Sequence, residues 1–175
     1  MSARDAVRSV PVCETVAYIG LGGNLGDRGA VLLRALKAID DIDGVDVRRI
    51  SQFVVTDPVG GPEGQGTYLN AAAELHVTLS PHELLAMLQQ VERSLGRRRE
   101  AEPRWGPRTC DLDILLMGDL VLKTDGLTIP HPRMHERLFV LRPLANIAPQ
   151  AVHPETGKSV LELLLEAEVA LGPPR

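Results

Sequence analysis

Residues 68–77, YLNAAAELHV, alternate with period two, and this pattern constrains the fold more than any other feature of the chain. Successive side chains on a strand point to opposite faces. Leu69, Ala71, Ala73, Leu75 and Val77 therefore form an apolar face, with Tyr68, Asn70, Glu74 and His76 opposite. Residues 110–116 repeat the pattern, with Cys110, Leu112, Ile114 and Leu116 on one face and Asp111 and Asp113 on the other. A sheet with an apolar face needs a second layer to cover it.

That layer is written as two amphipathic helices. From Asp27 onward, Val31, Leu32, Ala35, Leu36 and Ile39 share one helical face, and Gly44 ends the run. Ser80-Pro81-His82-Glu83 is a capping box with proline at the first helical position. Its helix runs through Leu84, Leu88, Val91 and Leu95 to a stop at Gly96. Apolar residues 16–22 read as a buried strand, residues 45–56 as a further strand-like region, and residues 57–66 as a glycine- and proline-rich loop. The order is β-α-β-β-α-β, the ferredoxin-like plan. It is an α+β fold with a mostly antiparallel sheet and packed helices. Appended elements follow: a hairpin near 119–130, short helical pieces, and a last helix near 160–170 capped by Ser159 and Glu162.

The length of 175 residues predicts one domain. We place it at 15–175 and read residues 1–14 as a flexible leader. Cys13 and Cys110 cannot build a disulfide framework, and neither has metal-ligand spacing; Cys110 reads as a small core residue. The longest apolar runs are about eight residues, against ~20 for a membrane span, and the N-terminus lacks a signal-peptide core. The expected location is the cytoplasm, without a membrane partner. Net charge is −4 and the only rings are Tyr18, Phe53, Tyr68, Trp105 and Phe139, a composition that argues against nucleic acid as a partner. Tyr18 and Phe53 fall in core-type strands. Against the negative total, Arg93, Arg97, Arg98, Arg99, Arg104 and Arg108 crowd one stretch, which suggests a confined anion site.

Five segments could carry chemistry. GLGGNLGD, residues 20–27, fails both the dinucleotide and the P-loop patterns and reads as a strand-to-helix turn whose glycines permit unusual backbone angles. Asp111 and Asp113 share a strand face, where two carboxylates repel unless a cation or a shared proton intervenes. Such oxygen ligands suit Mg²⁺ completed by phosphate and water, although a solvated strand edge reads the same way. Arginine forks match phosphate oxygens, so the loop 97–108 beside that pair resembles a lid over a polyphosphate. Tyr68 and Asn70 offer a ring to stack on and an amide to read a heterocycle edge. His131 and Arg137 in PHPRMHER are placed to reach phosphates. A two-metal nucleotidyltransferase or nuclease, and a non-catalytic ferredoxin-like ligand-binding module, remain alternative readings of these residues.

YIGLGGNLGDR, TYLNAAAEL, RRREAEPRWGPRTCDLDILLMGD and LTIPHPRMHERLFVLRPL, in that order, resemble the 6-hydroxymethyl-7,8-dihydropterin pyrophosphokinase family of folate biosynthesis over roughly residues 16–170. The resemblance implies transfer of the β,γ-pyrophosphoryl group of ATP to the pterin hydroxymethyl oxygen, with release of AMP. It implies that Asp111 and Asp113 hold two Mg²⁺ ions and that Arg97 and Arg108 steady the polyphosphate as catalytic residues. It also implies an ATP site of Gln89, Arg97, Trp105, Arg108, Ile114, Thr128, His131 and Arg137. The pterin site it implies comprises Thr56, Pro58, Val59, Tyr68, Asn70 and Phe139, with Tyr68 and Phe139 sandwiching the ring. Asp113 is the best candidate for a general base, and a monomer is expected. Two features depart from the family pattern: an extra residue at Pro103 in the arginine loop, and Pro132 where several members carry an aromatic ring.

Overall fold

A computed structural model describes residues 14–98 and 106–171. Nearly all of the expected leader, together with Cys13, Arg99, Pro103, Arg104 and Trp105, lies outside the described residues.

Strand β1 (Thr15–Gly23) is followed by helix α1 (Arg28–Asp40), capped by the Asp27 side chain, which accepts from the Ala30 amide. The region 45–56 is two strands, not one: β2 (Val45–Ile50) and β3 (Val54–Thr56), each pairing with a different part of β4 (Tyr68–Val77). Phe53 lies between them and is 37% exposed, so it is not a core ring. Helix α2 (Pro81–Ser94) opens with the expected reciprocal capping box of Ser80 and Glu83. Strand β5 (Asp111–Met117), the hairpin β6 (Leu122–Thr124) and β7 (Leu127–Ile129), helix α3 (Leu138–Ile147) and helix α4 (Val160–Leu171) complete the described chain.

The main sheet runs β2-β4-β1-β5 with every neighbour antiparallel, and β3 extends the pairing of β4. This is the ferredoxin-like order, with β1 and β4 central and β5 at one edge. Helices α1 and α2 bury Leu32, Ile39, Leu84 and Leu88 against Ile19, Leu75 and Leu112. The opposite face is covered as well: Ala72, Leu115 and Leu116 pack with Leu141, Leu144 and Val160 of α3 and α4. The polar face expected for β4 is therefore polar only near its ends.

One residue departs from the alternation expected in β5. The β1–β5 register shifts between Tyr18, opposite Leu116, and Ile19, opposite Ile114. Leu115 is the unpaired extra residue of a bulge, which turns the side chains beyond it to the other face. Leu116 therefore joins the α3/α4 cluster rather than the face of Leu112 and Ile114.

Candidate active site

The glycines of β1 build the floor. Gly22 pairs with Asn70 on one side and Asp111 on the other; Gly20 pairs with Ala72 and Asp113. All but Ala72 line a cavity of about 580 Å³. A Cβ at Gly20 would lie in ordinary contact with the Leu115 side chain, at 3.5 Å. A Cβ at Gly22 would stand 2.9 Å from Asn70 Oδ1, and one at Gly23 only 2.3 Å from the Thr109 carbonyl oxygen. Positive φ in this motif is confined to Gly26. The expectation of unusual backbone angles thus gives way, for Gly22 and Gly23, to close approach of neighbouring atoms.

Asn24 ties the two loops that flank this floor. Its side-chain oxygen accepts from the Arg108 amide (2.8 Å), and its own amide donates to the Arg108 carbonyl (3.0 Å). Its Nδ2 donates to the Gly66 carbonyl (3.3 Å), at the end of the glycine-rich loop.

The cavity is lined by Asp111, Asp113, Arg108 and Arg137. Asp111 is bracketed by cations: Arg97 pairs with its Oδ1, and Arg108 lies 3.3 Å from its Oδ2. Burial and the neighbouring Arg133 hold the Arg137 guanidinium below its ordinary pKa, opposed by Asp113 and Asp111. The His131 pKa is pushed down to about 4, first by burial and then by Arg137. Its Nδ1 accepts from the Arg133 amide at 3.2 Å, so the neutral ring carries its proton on Nε2. The Cys110 thiol is buried and pushed up to about 12 by burial and by Glu92 and Asp111, which makes it an inert core group, as expected.

Two rings share the cavity with these charges. Tyr68, Asn70, Thr56, Val59 and Phe139 line the same cavity. Asn70 is 6% exposed and donates from Nδ2 to Thr56 Oγ1 (2.8 Å). Arg137 covers Phe139, its guanidinium carbon 5.5 Å from the ring centroid. The Tyr68 hydroxyl donates to the Gly106 carbonyl at 3.1 Å.

Of the other residues named from the sequence, Pro58, Gln89, Thr128 and His131 are partly exposed outside the cavity lining. Ile114 sits in the α1/α2 core at 3% exposure, and Arg97 lies behind Asp111 at 8%. Sequence reasoning missed Asn24 and Glu92. The buried Glu92, 1% exposed, accepts from Arg97 (2.7 Å) and from the Leu112 amide (2.8 Å). One signal was available: Glu92 follows Leu84 and Leu88 at helical spacing, on the apolar stripe of α2.

Carboxylates and guanidinia that share one cavity with two rings and a buried amide suit an enzyme that moves phosphoryl groups onto a small heterocycle. Residues 18–149 match the family of 7,8-dihydro-6-hydroxymethylpterin-pyrophosphokinase, and the chain belongs to that family. It is 50% identical over 137 residues to the 2-amino-4-hydroxy-6-hydroxymethyldihydropteridine pyrophosphokinase of Bacillus subtilis, covering 78% of this chain and 80% of that one. The enzyme of the same name from Haemophilus influenzae is 44% identical over 140 residues, covering 80% and 86%. Among solved structures, the Plasmodium falciparum HPPK-DHPS A437G with pteroate superposes with a TM-score of 0.68 at 12% identity, a likeness of fold. That match covers 93% of this chain and 45% of the Plasmodium chain. Neither the nuclease nor the non-catalytic reading gains support from these relatives.

Proposed function

We propose that the cavity is the pyrophosphokinase centre. The chain transfers the pyrophosphoryl group of ATP to the hydroxymethyl oxygen of 6-hydroxymethyl-7,8-dihydropterin and releases AMP. The observation that carries this reading is one cavity holding both Asp111/Asp113 with Arg108 and Arg137, and Tyr68/Asn70 with Phe139.

The donor set fits Mg²⁺. Asp111 and Asp113 are hard oxygen ligands on one face of β5, and the described residues hold no group of three His, Cys, Asp or Glu able to cage a metal alone. Mg²⁺ commonly takes one or two carboxylates and completes its shell with water and substrate phosphates. Two Mg²⁺ ions held there would neutralise the polyphosphate and polarise the phosphorus under attack. Arg108 and Arg137, which line the cavity, then stabilise the charge that spreads over the transferred group, and Arg97 contributes from behind Asp111. Asn70 and Thr56 orient the pterin edge, and Tyr68 and Phe139 hold its faces. In-line attack forms a bond from the hydroxymethyl oxygen to the β-phosphorus and breaks the bond to the α,β-bridging oxygen, which leaves on AMP. The hydroxymethyl proton departs, with Asp113 nearest in role to an acceptor. Gln89, Ile114, Thr128, His131 and Trp105 are proposed for the nucleotide side, and Pro58 and Val59 for the pterin side.

We further propose that residues 15–175 act as one monomeric, cytoplasmic domain. No helix among the described residues is long and apolar enough to cross a membrane. Incubation with ATP, Mg²⁺ and the hydroxymethyl-dihydropterin should yield AMP in step with pyrophosphorylated pterin. Release of ADP, or absence of turnover, would overturn the reading.

A further inference from the structure

Strand β5 is an edge strand, so one row of its backbone groups lacks a neighbouring strand. Two side chains supply the missing partners around Asp111. The Cys110 carbonyl accepts from Arg97 Nη1 at 3.1 Å, and the Leu112 amide donates to Glu92 Oε1 at 2.8 Å. Arg97 and Glu92 are themselves paired at 2.7 Å. Together they run along β5 as a short substitute strand and hold the backbone on both sides of Asp111. The same Arg97 nitrogen also meets the Asp111 carboxylate.

A carboxylate taken out of water is costly unless charge and hydrogen bonds compensate it. A glutamate on the apolar stripe of α2 is therefore poor helix–sheet packing, and an alanine or leucine would fill the site more simply. What its charge provides is specific. It takes up part of the Arg97 charge, so that guanidinium does not rest on Asp111 alone, and it fixes the amide of the residue lying between Asp111 and Asp113.

We propose that Glu92 is a positioning residue for the Asp111/Asp113 pair: it sets the backbone of β5 at the carboxylates and restrains Arg97 from competing with a divalent cation for Asp111. This inference rests on the metal reading of that pair. It touches no substrate and acts through Leu112 and Arg97.

Glu92→Gln keeps an acceptor for the Leu112 amide and removes the charge facing Arg97. Binding of Mn²⁺ with a non-hydrolysable ATP analogue, followed by electron paramagnetic resonance, is the primary readout. Outer-shell substitutions typically cost about 10- to 100-fold in metal affinity or activity, and Glu92→Gln is expected to weaken Mn²⁺ binding and lower kcat within that range while leaving the pterin KM near its original value. Leu88→Ala removes a buried neighbour on the same helix face and serves as the structural control. It should lower Tm and leave Mn²⁺ affinity unchanged at a temperature where it is folded. If Glu92→Gln behaves like Leu88→Ala, the inference is wrong. Should Glu92→Gln not fold, Glu92→Asp, which keeps the charge and shortens its reach, carries the same expectation and the same refutation. Failure of the unsubstituted chain to bind Mn²⁺ would instead overturn the metal reading itself.

Discussion

The Arg108 guanidinium carbon lies 5.4 Å from the centroid of the Tyr68 ring, while Arg108 Nη1 stands 3.3 Å from Asp111. One side chain thus touches both a ring and a carboxylate of the cavity. Tyr68→Phe keeps the ring under Arg108 and loses the hydroxyl bond to Gly106. An aromatic contact of this kind is worth about 1 kcal/mol beyond its buried area, so Tyr68→Ala should raise the pterin KM by about tenfold. Tyr68→Phe should change it by less than about threefold. Steady-state kinetics with varied pterin decide this, and equal effects from both variants would show that the ring carries no binding.

Loss of one group that stabilises the developing charge typically costs about 10²- to 10³-fold in kcat, and removing a carboxylate would cause it by weakening the hold on Mg²⁺. Asp113→Ala is expected to reach that range while its circular dichroism spectrum stays unchanged. Asp111→Ala should be as inactive and also less stable, because it strips Arg97 and Arg108 of a shared partner. AMP release and thermal melts separate the two. Near-normal turnover in either variant contradicts the role given to the pair.

His131 titrates far below the ordinary histidine value of 6.5, at about 4. The unfolded chain therefore binds this proton more readily than the folded one. The His131 contribution to stability is complete above about 6.5 and is lost as pH falls through about 4. Arg137 is one cause of the depression, so Arg137→Gln should move the His131 pKa upward. Imidazole proton shifts followed by NMR would show both. A titration near 6.5 in the unsubstituted chain would contradict the buried, arginine-facing environment.

Gly22→Ala and Gly23→Ala should separate the halves of the site. At Gly22 the new methyl meets Asn70 Oδ1 at 2.9 Å, and the pterin KM is expected to rise. At Gly23 it meets the Thr109 carbonyl at 2.3 Å, which forces the backbone beside Arg108 to move. Overpacking of this kind costs about 1–3 kcal/mol, so Gly23→Ala should lower Tm and kcat together. Identical kinetic profiles for the two variants would mean that the glycines do not partition the floor as their contacts indicate.

Local signals were legible in the sequence. The capping box at Ser80, the helix that follows Asp27 and the alternation in residues 68–77 are set within a few residues, and each appears where the spacing places it. The family motifs likewise led to Asp111, Asp113, Tyr68, Asn70 and Phe139, all of which line one cavity. Features decided across the sheet were not legible. The bulge that sends Leu116 to the second core depends on the register against Tyr18, and the burial of Ala72 depends on helices encoded much later in the chain. Glu92 escaped notice because a glutamate in an amphipathic helix ordinarily faces solvent. Its partners Arg97 and Leu112 come together only once α2 packs on β5.

The arginine segment is clamped at both ends. Arg97 is held by Glu92, Cys110 and Asp111, and Arg108 is held through its backbone by Asn24. Asp111 thus takes its surroundings from two elements at once, from α2 through Arg97 and from the turn after β1 through Arg108, so a shift of either element reaches the same carboxylate.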